Sequence, residues 1–173
     1  MSKTYVFDAE WLVQEDAHPV DDAEKIHCII FKEVKTDNYH TFTEDNMGEL
    51  YTFLQQRDAT YIGHNILSAD MNVFRNLLNI PFTVGRDSVA DTPCTFIDTL
   101  ILSKILNPDR KPFMHKGKSS GIHGLFAWAG RLDGFKPEVT DWVGLPLATY
   151  LQRCKADVIL TEKLYYYLME NEV

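Results

Sequence analysis

Four carboxylates stand where hydrophobic elements should be closing a core. Asp8 and Glu10 lie in Phe7-Asp8-Ala9-Glu10, Asp70 follows His64-Asn65, and Asp157 sits in Cys154-Lys155-Ala156-Asp157-Val158. A buried carboxylate is costly unless it is hydrogen-bonded or neutralised by a cation. Asp8 and Glu10 are two apart on a strand-like segment, so both point to one face and repel each other. Asp70 is in helical register with Val73, Phe74 and Leu77; Asp157 falls beside an apolar stripe through Leu147, Tyr150, Leu151, Cys154, Val158, Thr161 and Leu164. A backbone hydrogen bond would explain any one inward Asp, but four such acids far apart in sequence ask for a shared cation. Hard oxygen donors suit Mg²⁺ or Mn²⁺ rather than zinc. Two such ions, about 3.5–4 Å apart, serve phosphodiester hydrolysis, one at the attacking water and one at the leaving oxygen.

The elements needed to position these acids can be read from periodicity and turn residues. Strands are expected over residues 4–10, 26–33, Tyr39–Thr43, Ala59–Gly63 and 95–97, and helices over 45–56, 69–78, Thr99–Leu106, 121–129 and 146–170. Asp98 is placed to cap the helix that follows it. The acidic stretch 15–24, with Pro19, reads as an exposed connection, and 108–120 as a flexible basic loop carrying Arg110, Lys111, His115, Lys116 and Lys118. Strands first, then strands alternating with helices, give an α/β fold with a mixed five-stranded sheet flanked by helices.

At 173 residues, 45% hydrophobic and 24% charged, the chain fits one globular domain, residues 1–173. Its net charge of −8 excludes a protein that coats nucleic acid through a broad basic surface, but not an enzyme gripping a few nucleotides in a cleft. Three cysteines without CxxC spacing read as reduced thiols. No apolar run approaches a membrane span and no signal-peptide pattern opens the chain, so no membrane partner and a cytoplasmic location are expected.

The order Asp-x-Glu on the first strand, His-Asn-x4-Asp after the fourth, and Asp-Val-x2-Thr on the late helix resembles the DEDD superfamily of 3′–5′ exonucleases, which have a ribonuclease H-like fold. Within it, the chain is similar to the proofreading exonuclease domain of family A DNA polymerases from podovirus-type phages. That likeness extends through Ile97-Asp98-Thr99-Leu100-Ile101-Leu102-Ser103-Lys104 and from Gly121 to Leu132. The resemblance implies that Asp8, Glu10, Asp70 and Asp157 ligate two Mg²⁺ or Mn²⁺ ions, with His64 and Asn65 near the terminal nucleotide. It also implies single-stranded DNA 3′ ends as substrate, and host cytoplasm as the location if the protein is phage-encoded.

One expected group is missing. The tyrosine branch of the superfamily places a Tyr four residues before the last Asp, and the histidine branch a His five before it; here those positions hold Arg153 and Gln152. Arg153 is expected either to clamp a phosphate, as a guanidinium matches phosphate oxygens bidentately, or to lie solvated on the helix. Tyr150, two turns before Asp157, is expected to pack in the core. Trp11 and Leu12 are candidates for stacking and wedging against the 3′-terminal base, with core packing as the alternative. Lys111, Lys116 and Lys118 are candidates for tracking the strand's backbone. The leading expectation is a free-standing 3′–5′ exonuclease, with a separate DNA polymerase as a candidate partner. An RNA-trimming exonuclease and a catalytically weakened nucleic-acid- or polymerase-binding module are the alternatives.

Overall fold

A computed structural model describes residues 2–134, 136 and 143–173. The chain opens on β1 (Thr4–Leu12), whose side chains alternate between two apolar environments. Tyr5, Phe7 and Ala9 enter one core with α1 (Leu50–Leu54) and α2 (Asp70–Leu78), while Val6 enters a second core with α5 (Leu147–Asn171). Asp8 and Glu10 continue the Val6 row, so the strand's own period of two aims both acids at α5.

β2 (Lys25–Glu33) is buried almost without interruption from Ile26 to Lys32, the pattern of a strand covered on both faces. It pairs antiparallel with β1 and with β3 (Tyr39–Thr43). β4 (Ala59–Gly63) runs parallel to β1, and β7 (Thr92–Asp98) runs parallel to β4. Two short strands, β5 (Phe82–Thr83) and β6 (Ser88–Val89), extend the sheet beyond β7, giving the order β3-β2-β1-β4-β7-β6-β5. The sheet is mixed as expected, with seven strands in place of five. The additional two have two residues each and so carry no alternation to read. A third apolar cluster joins α5 to α3 (Thr99–Leu106) and α4 (Leu125–Arg131) through Leu102, Leu125, Trp128, Leu160 and Leu164.

Three expected segments are revised. The helix over 45–56 shrinks to a 3-10 turn at Met47–Glu49 followed by α1, because Asn46 closes a local turn: its Oδ1 accepts from the Thr43 amide and its Nδ2 donates to Thr41 O. The helix over 121–129 begins only at Leu125, since Gly121 sits at φ +89. The basic loop holds a hairpin, β8 (Met114–His115) and β9 (Lys118–Ser119), whose two-residue tip Lys116-Gly117 has positive φ at both positions, as tight hairpins require.

Candidate active site

The acids gather at the carboxyl ends of β1, β4 and β7, where open α/β sheets form their crevices. Gly63 and Asp98 are the last paired residues of β4 and β7, so His64-Asn65 and Asp98-Thr99 leave the sheet side by side. Asp98 fixes that junction. Its carboxylate caps α3 through the amides of Leu100 (3.0 Å) and Ile101 (3.4 Å), and also accepts from Asn65 (2.9 Å) and Leu67 (3.1 Å). The Asn65 backbone is thereby held in the left-handed region at φ +65. Gly63 leaves no room at the corner: a Cβ there would lie 2.2 Å from Ile66 Cγ2.

Among the described residues, Asp8, Glu10 and Asp157 each offer a carboxylate oxygen within 4.8 Å of the others. Strand alternation supplies the first two. Asp157 comes from the buried face of α5, anchored where the Cys154 thiol donates to Asp8 O (3.1 Å) and Val158 packs in the second core. Asp70 lies outside this triangle; its Oδ1 accepts from the Ala9 amide (3.1 Å), the residue between Asp8 and Glu10. The β1–β2 register slips just past Glu10, where Glu10 pairs with Cys28 but Trp11 with Ile26. His27 is the extra residue of that bulge, and its ring stacks on Tyr150 at 3.9 Å and 10°. Tyr150, 2% exposed, is thus a core residue, as expected.

Two cations face the acids. Lys136 Nζ lies 2.6 Å and Arg153 Nε 3.2 Å from the same oxygen, Asp157 Oδ2, and Arg153 Nε also lies 4.0 Å from Glu10 Oε1. Arg153 is therefore not a solvated helix residue; its side chain is 13% exposed and turned into the site. Asp157 Oδ1 is buried and makes no hydrogen bond among the described residues.

Burial, then the charges of Asp157, Asp70 and Glu10, pushes the Asp8 carboxyl well above the usual carboxylate range. Burial and Asp157 raise Glu10 to about 8 despite Arg153. Burial raises Asp70 to about 7, against the opposing pull of its own amide and that of Ala9. Acids held this far from their ordinary ionisation fit a divalent cation that would stabilise their charged forms. The orphaned Asp157 Oδ1 and the all-oxygen donor set fit the same ion.

His64 Nδ1 lies 2.9 Å from Thr99 Oγ1, which itself donates to Gly63 O (3.1 Å). With the hydroxyl proton assigned to Gly63 O, the ring proton is assigned to Nδ1. Burial, with Lys136 nearby, lowers His64 to about 4 and keeps the ring neutral, which leaves Nε2 a bare acceptor; it is buried and without a hydrogen bond.

The remaining candidates lie further out. The half-buried Trp11 packs on the first core, and its indole N–H donates to Pro19 O (2.6 Å), fastening the 15–24 connection. Leu12 is half-buried at the end of β1, paired with Lys25. Lys116 and Lys118 are exposed on the hairpin; Lys111 is exposed before it, with its carbonyl held by Arg131 (2.7 Å). Phe113 packs against Gly130, where a Cβ would meet its ring, and so roots the hairpin on α4. Arg110 is withdrawn from the basic surface: it pairs with Glu172 and lies over the Trp128 ring at 4.4 Å. Sequence reasoning missed two residues. Lys136 carried no periodic or motif signal. Thr99 did lie in the motif that carries the resemblance.

No family model matches the chain. Over 132 residues it is 26% identical to a DNA-directed DNA polymerase of enterobacteria phage T3, a match covering 68% of this chain and 18% of that protein. The chain therefore spans less than a fifth of the relative's length. Among solved structures, RNase D of Trypanosoma brucei superposes with a TM-score of 0.64 at 13% identity, covering 99% of this chain and 59% of that one. Escherichia coli exonuclease I, in complex with a dT13 oligonucleotide, also reaches 0.64 at 12% identity, over 99% and 42% of the two chains. Phi29 DNA polymerase, bound to primer-template DNA and incoming nucleotide, reaches 0.56 at 11% identity, over 98% and 31%. The chain has a ribonuclease H-like fold, as these superpositions show, and it resembles a phage DNA polymerase in sequence, as its motifs implied.

Proposed function

We propose that residues 1–173 form one metal-dependent exonuclease domain that removes nucleotides from the 3′ end of single-stranded DNA, in the manner of a phage proofreading or DNA-processing nuclease. The observation that carries this reading is the convergence of Asp8, Glu10 and Asp157 within 4.8 Å, with Asp157 Oδ1 buried and unbonded. The fold shared with nucleases and the sequence likeness to a phage DNA polymerase support it.

Asp8, Glu10 and Asp157 would hold Mg²⁺ or Mn²⁺, with Asp70 the nearest further acid of the expected set. When bound, such an ion would supply Lewis acidity for phosphodiester hydrolysis and would lower the pKa of nearby water. In the reaction, a water oxygen bonds to phosphorus as the P–O3′ bond to the penultimate nucleotide breaks. The electron pair leaves with O3′, which takes a proton, and a nucleoside 5′-monophosphate is released. His64, neutral with a bare Nε2, is suited to accept a hydrogen bond from the terminal nucleotide while Asp98 holds the His64-Asn65 corner in register. Lys116 and Lys118 present charge for the strand's phosphates. Trp11 is left with a ring face rather than its N–H for stacking.

Digestion of 3′- and 5′-labelled single-stranded DNA with Mg²⁺ or Mn²⁺, with unlabelled RNA as competitor, tests the direction and the substrate. Release of label as mononucleotide from the 3′ end first, undiminished by RNA, is the expected outcome. Preferential RNA cleavage would establish the RNA-trimming reading, and strand binding without cleavage would establish the binding-module reading.

A further inference from the structure

From the geometry around Asp157 we infer that Arg153 stands in for one of the two divalent ions expected from the resemblance, so that the site takes a single ion and the guanidinium meets the scissile phosphate in place of the second. The inference rests on reading the carboxylates as metal ligands. Asp157 Oδ2 is already occupied by cations, Lys136 Nζ at 2.6 Å and Arg153 Nε at 3.2 Å, whereas Oδ1 is buried with no hydrogen-bond partner among the described residues. Arg153 Nε also reaches to 4.0 Å from Glu10 Oε1, so the guanidinium bridges acids from β1 and α5.

Formal charge points the same way among the described residues: the triangle of Asp8, Glu10 and Asp157 carries three negative charges when ionised, Arg153 and Lys136 offset two, and one divalent ion more than balances what remains. A second ion would have to compete with two cations already at hydrogen-bond distance, in a largely buried site where repulsion is weakly screened.

The replacement is chemically sound because a guanidinium carries a permanent charge and several N–H donors in a plane. Keeping Nε on Asp157, it can exchange its other contacts for the non-bridging phosphate oxygens, where charge gathers as phosphorus is attacked. Arg153 lies one turn before Asp157 on α5, so the helix itself fixes the spacing between the guanidinium and the carboxylate. A tyrosine at that position, as the resemblance led one to expect, would offer a single uncharged hydroxyl and no fixed cation.

Counting Mn²⁺ bound per folded chain, by calorimetry and by the electron paramagnetic resonance of free Mn²⁺, tests this without reference to turnover. The titration is run with and without single-stranded DNA whose 3′-terminal linkage is a hydrolysis-resistant phosphorothioate. Wild-type protein is expected to bind one ion in both conditions. Arg153→Gln, or Arg153→Tyr should the first fail to fold by circular dichroism, is expected to bind a second, at least about tenfold tighter than any second ion in wild type. Two ions on DNA-bound wild type, or no second ion in either folded variant, would overturn the inference and leave the exonuclease reading standing. Absence of Mn²⁺ binding in wild type would overturn both.

Discussion

Asp98 bears more of the site's geometry than its place outside the carboxylate triangle suggests, and Asp98→Ala is the sharpest test of that. The carboxylate is 6% exposed and accepts from four amides: Leu100 and Ile101 at the start of α3, and Asn65 and Leu67 in the corner after β4. Removing the cap alone costs about 1 kcal/mol. Each of the two corner amides left without an acceptor adds roughly 1–3 kcal/mol, so the whole loss is about 3–7 kcal/mol. For a chain of this size that lowers Tm by roughly 6–28 °C. Urea unfolding followed by circular dichroism, with an unchanged slope, reads the free energy directly. Asp98→Asn, which keeps one acceptor oxygen, is expected to fall between the alanine variant and wild type. A loss below about 1 kcal/mol for the alanine variant would show that the corner is held by something else, and that Asp98 is not what places His64.

Glu10 and Asp70 are raised in the folded protein to about 8 and about 7, so the unfolded chain loses their protons first and the metal-free fold should weaken as pH rises from about 5 to about 8. Mn²⁺ should reverse the trend, with its gain in Tm growing with pH as protons cease to compete; a chelated protein that melts higher at the alkaline end would contradict this. Gly63→Ala drives a Cβ into the buried Ile66 and should cost about 1–3 kcal/mol in urea unfolding, whereas an unchanged midpoint would mean that the corner has slack. Neutralising Lys116 and Lys118 to Gln should weaken single-stranded DNA binding and make the salt slope shallower by about 1.4, taking one phosphate per lysine; an unaltered slope would remove the hairpin from the interface.

What the sequence disclosed was what local rules encode. Strand period placed Asp8 and Glu10 on one face, helical period turned Asp70 and Asp157 inward, and Asp98 was recognisable as a cap because its partners follow it at once. The spacing of four between Arg153 and Asp157 made their contact foreseeable. Contacts set by the tertiary path were not legible. Lys136 reaches Asp157 from 21 positions away with no pattern around it, and Trp11 is turned by the carbonyl of Pro19 rather than by anything in β1. Asp70 was correctly read as inward, but only the packing of α2 on β1 shows its carboxylate engaged with the Ala9 amide instead of joining the other three. The strands β5 and β6 are too short to announce themselves, and the β8–β9 hairpin was hidden because its charged residues read as a solvated loop.

The proposed chemistry turns on the acids of β1 holding a metal ion that serves cleavage of nucleic acid from the 3′ end. The decisive comparison sets wild type against the Asp8→Ala/Glu10→Ala double variant on 3′-labelled single-stranded DNA, with Mn²⁺ and with EDTA, after circular dichroism has shown both proteins folded. Wild type is expected to cleave in a way that EDTA abolishes, and the double variant to lose at least about a thousandfold, within the 10²–10⁴-fold scale that a single general base contributes or beyond it. Equal cleavage by the two proteins, or cleavage by wild type that persists in EDTA, would contradict the metal-dependent mechanism.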